Sequence, residues 1–219
     1  GGVAEMLASL LAYIRGVGLD ARWEVIGGDP AFFRVTKRIH NMLHGSPGDG
    51  RGLGPGDMEV YRETAARNAR ELAPLVRAGD VVILHDPQTA GLIEPIRSRG
   101  AHLVWRCHVG MDVAEDLARQ AWDFLLPHVR HADAVVFSRS AFVWEGLDPA
   151  SVTVIPPSID AFSPKNQALA PDTVTGILRV TGIEPGEAPA EPVFTRLDGT
   201  PGRVDRSVDR LGSPPLPPE

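Results

Sequence analysis

The chain has 219 residues and a formal net charge of −6, with 43% hydrophobic and 23% charged residues. This composition is ordinary for a globular protein, and the acidic balance argues against nucleic-acid binding through general basicity. The single cysteine, Cys107, excludes an internal disulfide, and no apolar run approaches the roughly 20 residues that span a bilayer. We therefore expect a cytoplasmic protein without nucleic-acid or membrane partners.

A helix and a short strand are predicted at the start of the chain. Apolar residues from Val3 to Ile14 recur at helical spacing, and glycines follow them. Trp23 to Ile26 has the pattern of a short strand. Because a glycine-led helix in a Rossmann-like unit normally follows a strand, we expect the first strand of that unit to be missing from this sequence.

The next segments supply helices and a loop. Residues 29–44 mix apolar and basic side chains and are compatible with helix or loop. Residues 45–56 hold glycine at every second or third position and predict a flexible surface loop. Residues 57–76 predict a helix with an apolar face.

A βαβ unit is the strongest feature of the sequence. Two apolar runs, Val81–Leu84 and Leu103–Trp105, each end in polar residues, and the helix-length segment Thr89–Arg99 lies between them. A right-handed βαβ unit makes the two strands parallel, so their polar ends fall on one edge of the sheet. Ligands of open α/β sheets bind at that carboxyl edge.

The rest of the chain continues the alternation and then changes composition. Residues 112–129 predict a helix, 134–137 a strand, 140–146 a short helix and 152–155 a last strand. The predicted fold class is α/β with a Rossmann-like parallel sheet over residues 1–183. Residues 184–219 are rich in proline and glycine and predict a linker or disordered tail, a remnant of a second domain.

Eight short motifs, in order along residues 1–183, resemble the N-terminal domain of trehalose synthases, a retaining, nucleotide-sugar-dependent branch of glycosyltransferase family 4. They are Gly1–Glu5, Ala21–Trp23, Phe32–Phe33 with Val35–Lys37, Ile39–Asn41, His85–Gln88, Trp105–His108, Pro156–Asp160 and Ser163–Asn166. Phe194–Asp198 is faintly similar to the start of the second domain, but the lysine expected after it is absent. The resemblance therefore implies a truncated or frame-shifted product.

The resemblance implies a GT-B fold and transfer of glucose from a nucleoside-diphosphate glucose to glucose, with retention, to form trehalose reversibly. The N-terminal domain of the family chiefly holds the acceptor, and the absent second domain holds the nucleotide. The implied partners are glucose, trehalose and the nucleotide sugar as donor substrate, without a resident cofactor or metal; a homodimer is a possible assembly. Whether this chain alone is an enzyme stays open.

The resemblance also implies a donor side of the site. Gly1 and Gly2 precede a helix, where backbone N–H groups and the helix N-terminus favour a phosphate; a plain tight turn is the alternative. His108 follows a strand, where a neutral imidazole can donate to a hydroxyl of the transferred glucose, and Arg106 can stabilise phosphate or a neighbouring carboxylate. The alternative is a histidine that only ends the strand. The family tends to carry an aspartate where Gly110 stands, and Asp112 is a candidate substitute.

An acceptor side is expected from His85, Asp86 and Gln88, whose side chains can bond sugar hydroxyls; the alternative is a loop in which Asp86 caps the next helix. Lys37, His40 and Asn41 form a second candidate set, with a solvated helix face as the alternative.

Alternative interpretations concern metal binding, the cysteine, the tryptophans and the function of the whole chain. Metal binding by His85, Asp86 and His108 lacks a recognisable ligand spacing, and Cys107 is expected to be a buried strand residue. The tryptophans are expected in the core: Trp23, Trp105, Trp122 and Trp144. The alternative functions are a non-catalytic sugar- or partner-binding module and a Rossmann-type dehydrogenase; the absence of a GxGxxG motif argues against the latter.

Overall fold

The computed structural model describes residues 2–113, 115–160, 162–189, 191–196 and 198–209. The chain divides into two compact units, and the boundary lies between Pro157 and Ser158. The functional division predicted from the sequence, into a domain over 1–183 and a tail from 184, stays a prediction.

Helices and strands alternate through most of the first unit, after three helices at its start. They are α1 (Gly2–Gly16), α2 (Pro30–Leu43), α3 (Pro55–Leu72), β1 (Val81–His85), α4 (Ile93–Arg97), β2 (His102–Cys107), α5 (Asp116–Val129), β3 (Ala134–Phe137) and β4 (Val152–Val154). Short 3-10 turns cover Ala73–Leu75, Pro87–Leu92, Ser140–Phe142 and Pro149–Ser151.

The strands form one parallel sheet in the order β1-β2-β3-β4. Leu84 lies opposite Trp105, His85 opposite Arg106, and Cys107 opposite Phe137. All four carboxyl ends therefore lie on one edge, as the βαβ reading predicts. The predicted strands of the central and C-terminal parts are confirmed, and so is the α/β fold class.

One face of the sheet carries most of the core. Leu84, Leu103, Trp105 and Cys107 are at most 6% exposed and belong to one apolar cluster with α2, α3 and α5. Helix α2 begins where the Asp29 carboxylate accepts a hydrogen bond from the Phe32 N–H, and Pro30 suits the first turn. The residues left open between helix and loop are thus helical.

The strand predicted at Trp23–Ile26 is not present, and this prediction is wrong. The segment is irregular, Trp23 is 41% exposed, and no described strand pairs with it. A β-strand is stable only when a neighbour completes its hydrogen-bond ladder. The segment is instead tied down at its end, where the Asn68 side chain exchanges two 2.8 Å hydrogen bonds with the backbone of Gly27.

Three predicted helices are shorter than expected. The crossover over Thr89–Arg99 consists of the Pro87–Leu92 turn followed by the short α4, because Gly91 and Pro95 interrupt a regular helix. Helix α5 begins at Asp116 rather than residue 112. The segment after β3 is a single 3-10 turn.

The second unit contains α6 (Pro171–Val180) and an antiparallel hairpin of β5 (Val193–Thr195) and β6 (Pro201–Arg203). Its 3-10 turn covers Pro164–Asn166. The hairpin lies within the predicted linker and shows that part of that stretch is structured. Its packing depends on Gly202, where a Cβ would come within 2.5 Å of the Phe194 ring.

None of the helices in the described ranges combines the length and apolar character needed to cross a membrane.

Candidate functional site

Two histidines meet at the carboxyl edge of the sheet. His85 ends β1, His108 follows β2, and the Nδ1 atom of His85 lies 3.0 Å from the Nε2 atom of His108. The ring centroids are 5.3 Å apart and the rings are only 13° from parallel. Because the centroid separation exceeds the nitrogen separation by about two ring radii, the rings lie side by side with their nitrogens facing each other. The expected convergence of these two rings is confirmed.

Asp86 lies next to this pair in a strained backbone conformation. Its φ of 63° and ψ of 177° fall in a region that is essentially reserved for glycine and costs roughly 1–3 kcal/mol for other residues. Its carboxylate accepts a 2.8 Å hydrogen bond from the backbone N–H of His108. It does not cap the following helical turn, so the alternative of a simple capping residue is wrong.

Three residues that were not among the predicted site residues hold this turn in place. The Tyr61 hydroxyl donates to the Pro87 carbonyl at 2.6 Å and accepts from the Gly91 N–H at 2.9 Å. The Trp105 indole donates to the Asp86 carbonyl at 3.1 Å. The Thr89 hydroxyl lies 2.9 Å from the carbonyl of His85 and 3.1 Å from that of Asp86. Tyr61 has the spacing of a core residue on α3, so no sequence signal separates this role from packing.

Burial shapes the charges of the site. It lowers the pKa of His85 to about 4, helped by His108, and it lowers the pKa of His108 to about 4, helped by Arg106. Burial also raises the pKa of Asp86, against the hydrogen bond from His108 and the nearby positive groups. Both imidazoles are therefore neutral at physiological pH and can each donate one hydrogen bond and accept another.

Arg106 lies opposite His85 on β2, on the same face of the sheet. One guanidinium nitrogen reaches the Ile155 carbonyl at 3.4 Å. Its Nε atom is buried and makes no hydrogen bond within the described part of the chain. Arg106 thus brings an unused donor to the edge that carries the histidine pair.

Helix α2 brings only part of the second candidate set to this edge. His40 is half-buried and near enough to Asp86 to affect its ionisation; burial, His44 and Lys37 lower the pKa of His40, whereas Asp86 opposes the change. Lys37 is exposed, in agreement with a solvated helix face. Asn41 packs against Gly48 of the glycine-rich loop.

That loop is anchored by a buried cation. Arg38, only 7% exposed, pairs with Asp49 at 2.8 Å and with Asp57 at 2.9 Å. The loop is therefore fixed at its middle and at the start of α3, next to the helix that carries His40.

The remaining candidates are less closely connected to the histidine pair. Gln88 is half-buried in the Pro87–Leu92 turn. Gly2 begins α1, and a Cβ placed on it would meet nothing within 4 Å. Gly1 lies outside the described residues, so the predicted phosphate loop is not tested.

The structure also bears on the interpretations of metal binding, the cysteine and the tryptophans. In the described ranges, no group of three or more His, Cys, Asp or Glu side chains is arranged to hold a metal. Cys107 is fully buried and burial raises its pKa, as expected of a strand residue. Trp105 and Trp122 are core residues and Trp144 packs against the core, but the expectation for Trp23 is wrong because no strand carries it into the interior.

Gly110 has a steric explanation. A Cβ at this position would lie 2.5 Å from the Phe142 ring. Asp112, the candidate substitute for the family aspartate, instead forms a 2.7 Å ion pair with Arg139.

Comparisons with known proteins point to one family. The family model described as trehalose synthase, N-terminal domain, matches residues 1–144. The chain is 36% identical over 187 residues to trehalose synthase from Rubrobacter xylanophilus, covering 84% of this chain and 43% of that protein. It is 36% identical over 205 residues to trehalose synthase from Thermococcus litoralis, covering 94% and 48%. The chain thus spans a little under half the length of these relatives.

A solved structure of trehalose-6-phosphate synthase, from work on enzymatic glycosyltransfer with retention, superposes with a TM-score of 0.57 at 15% identity. The match covers 80% of this chain and 51% of that one. This similarity supports the Rossmann-like fold of GT-B glycosyltransferases. Together with the sequence match over most of the first unit, it leads to one conclusion: the chain belongs to the family of trehalose synthase N-terminal domains.

Proposed function

We propose that this chain is the acceptor-side part of a retaining glycosyltransferase that moves glucose from a nucleoside-diphosphate glucose to glucose and forms trehalose reversibly. The observation that carries the proposal is the hydrogen-bonded His85–His108 pair beside the strained Asp86 at the carboxyl edge of the sheet. Backbone strain of this kind persists where function requires it. Membership of the trehalose synthase family supports trehalose as the product.

The acceptor glucose binds through groups that both donate and accept hydrogen bonds. Asp86 accepts from an acceptor hydroxyl, and His85 and Gln88 extend the same turn. The half-buried His40 adds a polar group from α2, with Lys37 and Asn41 as the outer members of this set. A buried sugar hydroxyl left unpaired costs about 1–3 kcal/mol, so the density of polar groups determines affinity.

The donor sugar binds on the other side of the pair. His108 bonds a hydroxyl of the transferred glucose, and the positive charge of Arg106 stabilises the growing negative charge of the departing diphosphate. Gly2, which begins α1, and Gly1 before it in the sequence add backbone donors for phosphate. The bond from the anomeric carbon to the diphosphate oxygen breaks, the bond to the acceptor oxygen forms on the same face, and the acceptor proton leaves with the diphosphate.

Titration of the ¹⁵N-labelled chain with glucose and with trehalose, followed by NMR, tests the binding step. We expect saturable shifts at residues 85–89 and 108. Replacing a charged hydrogen-bond acceptor costs about 1.5–3 kcal/mol, so Asp86→Asn should weaken glucose binding by about 10-fold or more. Asp123→Asn, an equal change on the exposed side of α5, is the matched control. An absence of saturable binding of either sugar would contradict the proposal.

Turnover is tested by incubating the chain with nucleoside-diphosphate glucose and glucose and measuring trehalose. Because the chain spans less than half of its relatives, we expect binding with little or no turnover. Robust synthesis of trehalose would show that this half suffices for transfer. Glucose binding that is indifferent to the nucleotide sugar would favour a non-catalytic sugar-binding module. Sedimentation of the same sample tests the predicted homodimer.

A further inference from the structure

The contact between His85 and His108 restricts where their protons can be. It joins Nδ1 of one ring to Nε2 of the other at 3.0 Å, a normal hydrogen-bond length. A neutral imidazole carries one N–H and one bare nitrogen. The bond therefore requires one hydrogen between the two rings, because two would clash and none would leave two lone pairs facing each other.

Only two arrangements satisfy this requirement when both rings are neutral. In the first, His85 donates from Nδ1, so His108 must carry its own hydrogen on Nδ1. In the second, His108 donates from Nε2, so His85 must carry its hydrogen on Nε2. The two rings thus always have the same tautomer, and a change in one forces the same change in the other.

The outer nitrogens of the pair follow from these arrangements. They are Nε2 of His85 and Nδ1 of His108, and one of them always donates while the other always accepts. A hydroxyl can match either nitrogen, because it both donates and accepts. A phosphate or carboxylate group only accepts and matches just one of them.

The surroundings keep the pair neutral. Half-burial of both rings and the nearby guanidinium of Arg106 disfavour an added proton, and the Asp86 carboxylate opposes them only at His85. An imidazolium, which has two donors, would be needed for an anion to bond both ends.

We propose that His85 is a positioning residue whose tautomer sets that of His108, and that the coupled pair selects neutral sugar hydroxyls over anionic groups. The selection of sugars rests on the function proposed above, whereas the tautomer coupling stands on the geometry of this chain alone. When a hydroxyl donates to one end of the pair, the other end becomes a donor for a second hydroxyl. The direction of the hydrogen bond to one sugar hydroxyl thereby sets the direction of the hydrogen bond to the other.

Long-range ¹H–¹⁵N correlation of the imidazoles in the full 219-residue chain, without sugar at neutral pH, tests the coupling. We expect His85 and His108 to show the same tautomer, or the same proportions of the two tautomers where both arrangements are populated. In His85→Phe, which keeps a planar ring and removes the nitrogens, we expect the tautomer populations of His108 to change, because no partner nitrogen constrains them. His102→Phe, the same change at an exposed position on β2, should leave His108 unaltered.

Opposite tautomers in the unaltered chain would overturn the proposal, as would an unchanged His108 signal in His85→Phe. If His85→Phe does not fold, as judged by its amide spectrum, His85→Leu replaces it with the same expectation.

Titration with glucose and with inorganic phosphate then tests selection, and we expect glucose alone to shift both imidazoles. Matched tautomers without glucose binding would contradict the proposed function and the selection, while the coupling would stand.

Discussion

The two edges of the parallel sheet are both dense in polar contacts but use them differently. At the amino edge, the Asp133 carboxylate accepts from the Leu103 N–H at 2.8 Å and from Arg97 at 2.9 Å. At the carboxyl edge, Asp86 has a backbone conformation suited to glycine, and two neutral imidazoles face each other. The first arrangement completes hydrogen bonds at the ends of strands. The second keeps a strained backbone at Asp86 and buries polar imidazoles at a cost in stability. This difference supports the proposal that the carboxyl edge carries the function.

Tyr61→Phe is expected to give the largest effect, because it removes the hydroxyl that supports the carboxyl edge. The Pro87 carbonyl and the Gly91 N–H lose their shared partner in a buried place. Each unsatisfied group costs about 1–3 kcal/mol, so we expect a loss of about 3 kcal/mol in the free energy of unfolding. Urea denaturation measures it, and glucose titration should show weaker binding. Unchanged stability would mean that the turn does not depend on this hydroxyl.

Asp133→Ala tests the amino edge. It removes two hydrogen bonds, one of them to the backbone of β2, and we expect a loss of about 2 kcal/mol in unfolding free energy without a change in glucose affinity. Asp133→Asn keeps one acceptor and should cost less. A large loss of glucose binding in a folded Asp133→Ala protein would break the contrast between the two edges.

A pair of substitutions at residue 86 separates strain from contact. Asp86→Gly and Asp86→Ala both remove the carboxylate, but only glycine suits the φ of 63°. We therefore expect the glycine variant to be more stable than the alanine variant by about 1–2 kcal/mol, with glucose binding lost in both. Thermal unfolding compares them. Equal stability would show that the strain is absent in solution.

The smallest effect is a dependence of stability on pH. The pKa values of His85 and His108 lie near 4 in the folded chain, below the ordinary 6.5, so the unfolded chain binds protons first as the pH falls. Stability is thus retained above about pH 6.5 and lost from there down to about pH 4. Between about pH 7 and pH 6, we expect a loss of about 1 kcal/mol in the free energy of unfolding.

The variant His85→Asn with His108→Asn is the control for this prediction. It should flatten the part of the curve that belongs to the pair, although His40 and His128, whose pKa values are also lowered, keep a residual slope. A curve unaffected by the double change would show that folding leaves the pKa values of the pair unaltered.

The sheet was predictable because each of its strands has a recognisable pattern in the sequence. Continuous apolar runs such as Val81–Leu84, with abrupt polar ends, predict buried parallel strands whose ends share an edge. That logic was enough to bring His85 and His108 together. Trp23–Ile26 has an equally good strand pattern, but a pattern does not supply a pairing partner, so the same reasoning failed there.

The supporting shell of the site could not be predicted. Tyr61 lies 26 residues before Pro87 in the chain, and its spacing on α3 indicates packing alone. The positive φ of Asp86 is also invisible in the sequence, because His-Asp-Pro-Gln does not contain the glycine that normally reports such a conformation. Long-range hydrogen bonds impose it, and these exist only after the helices have packed.

The contact between Gly110 and Phe142 constrains the evolution of this chain. Any side chain at residue 110 begins with a Cβ that would overlap the Phe142 ring at 2.5 Å, so an aspartate there is incompatible with the present neighbour. A carboxylate at residue 110 therefore requires a change or a shift of the side chain at residue 142. The effects of substitutions at residues 110 and 142 on stability are therefore expected to be non-additive.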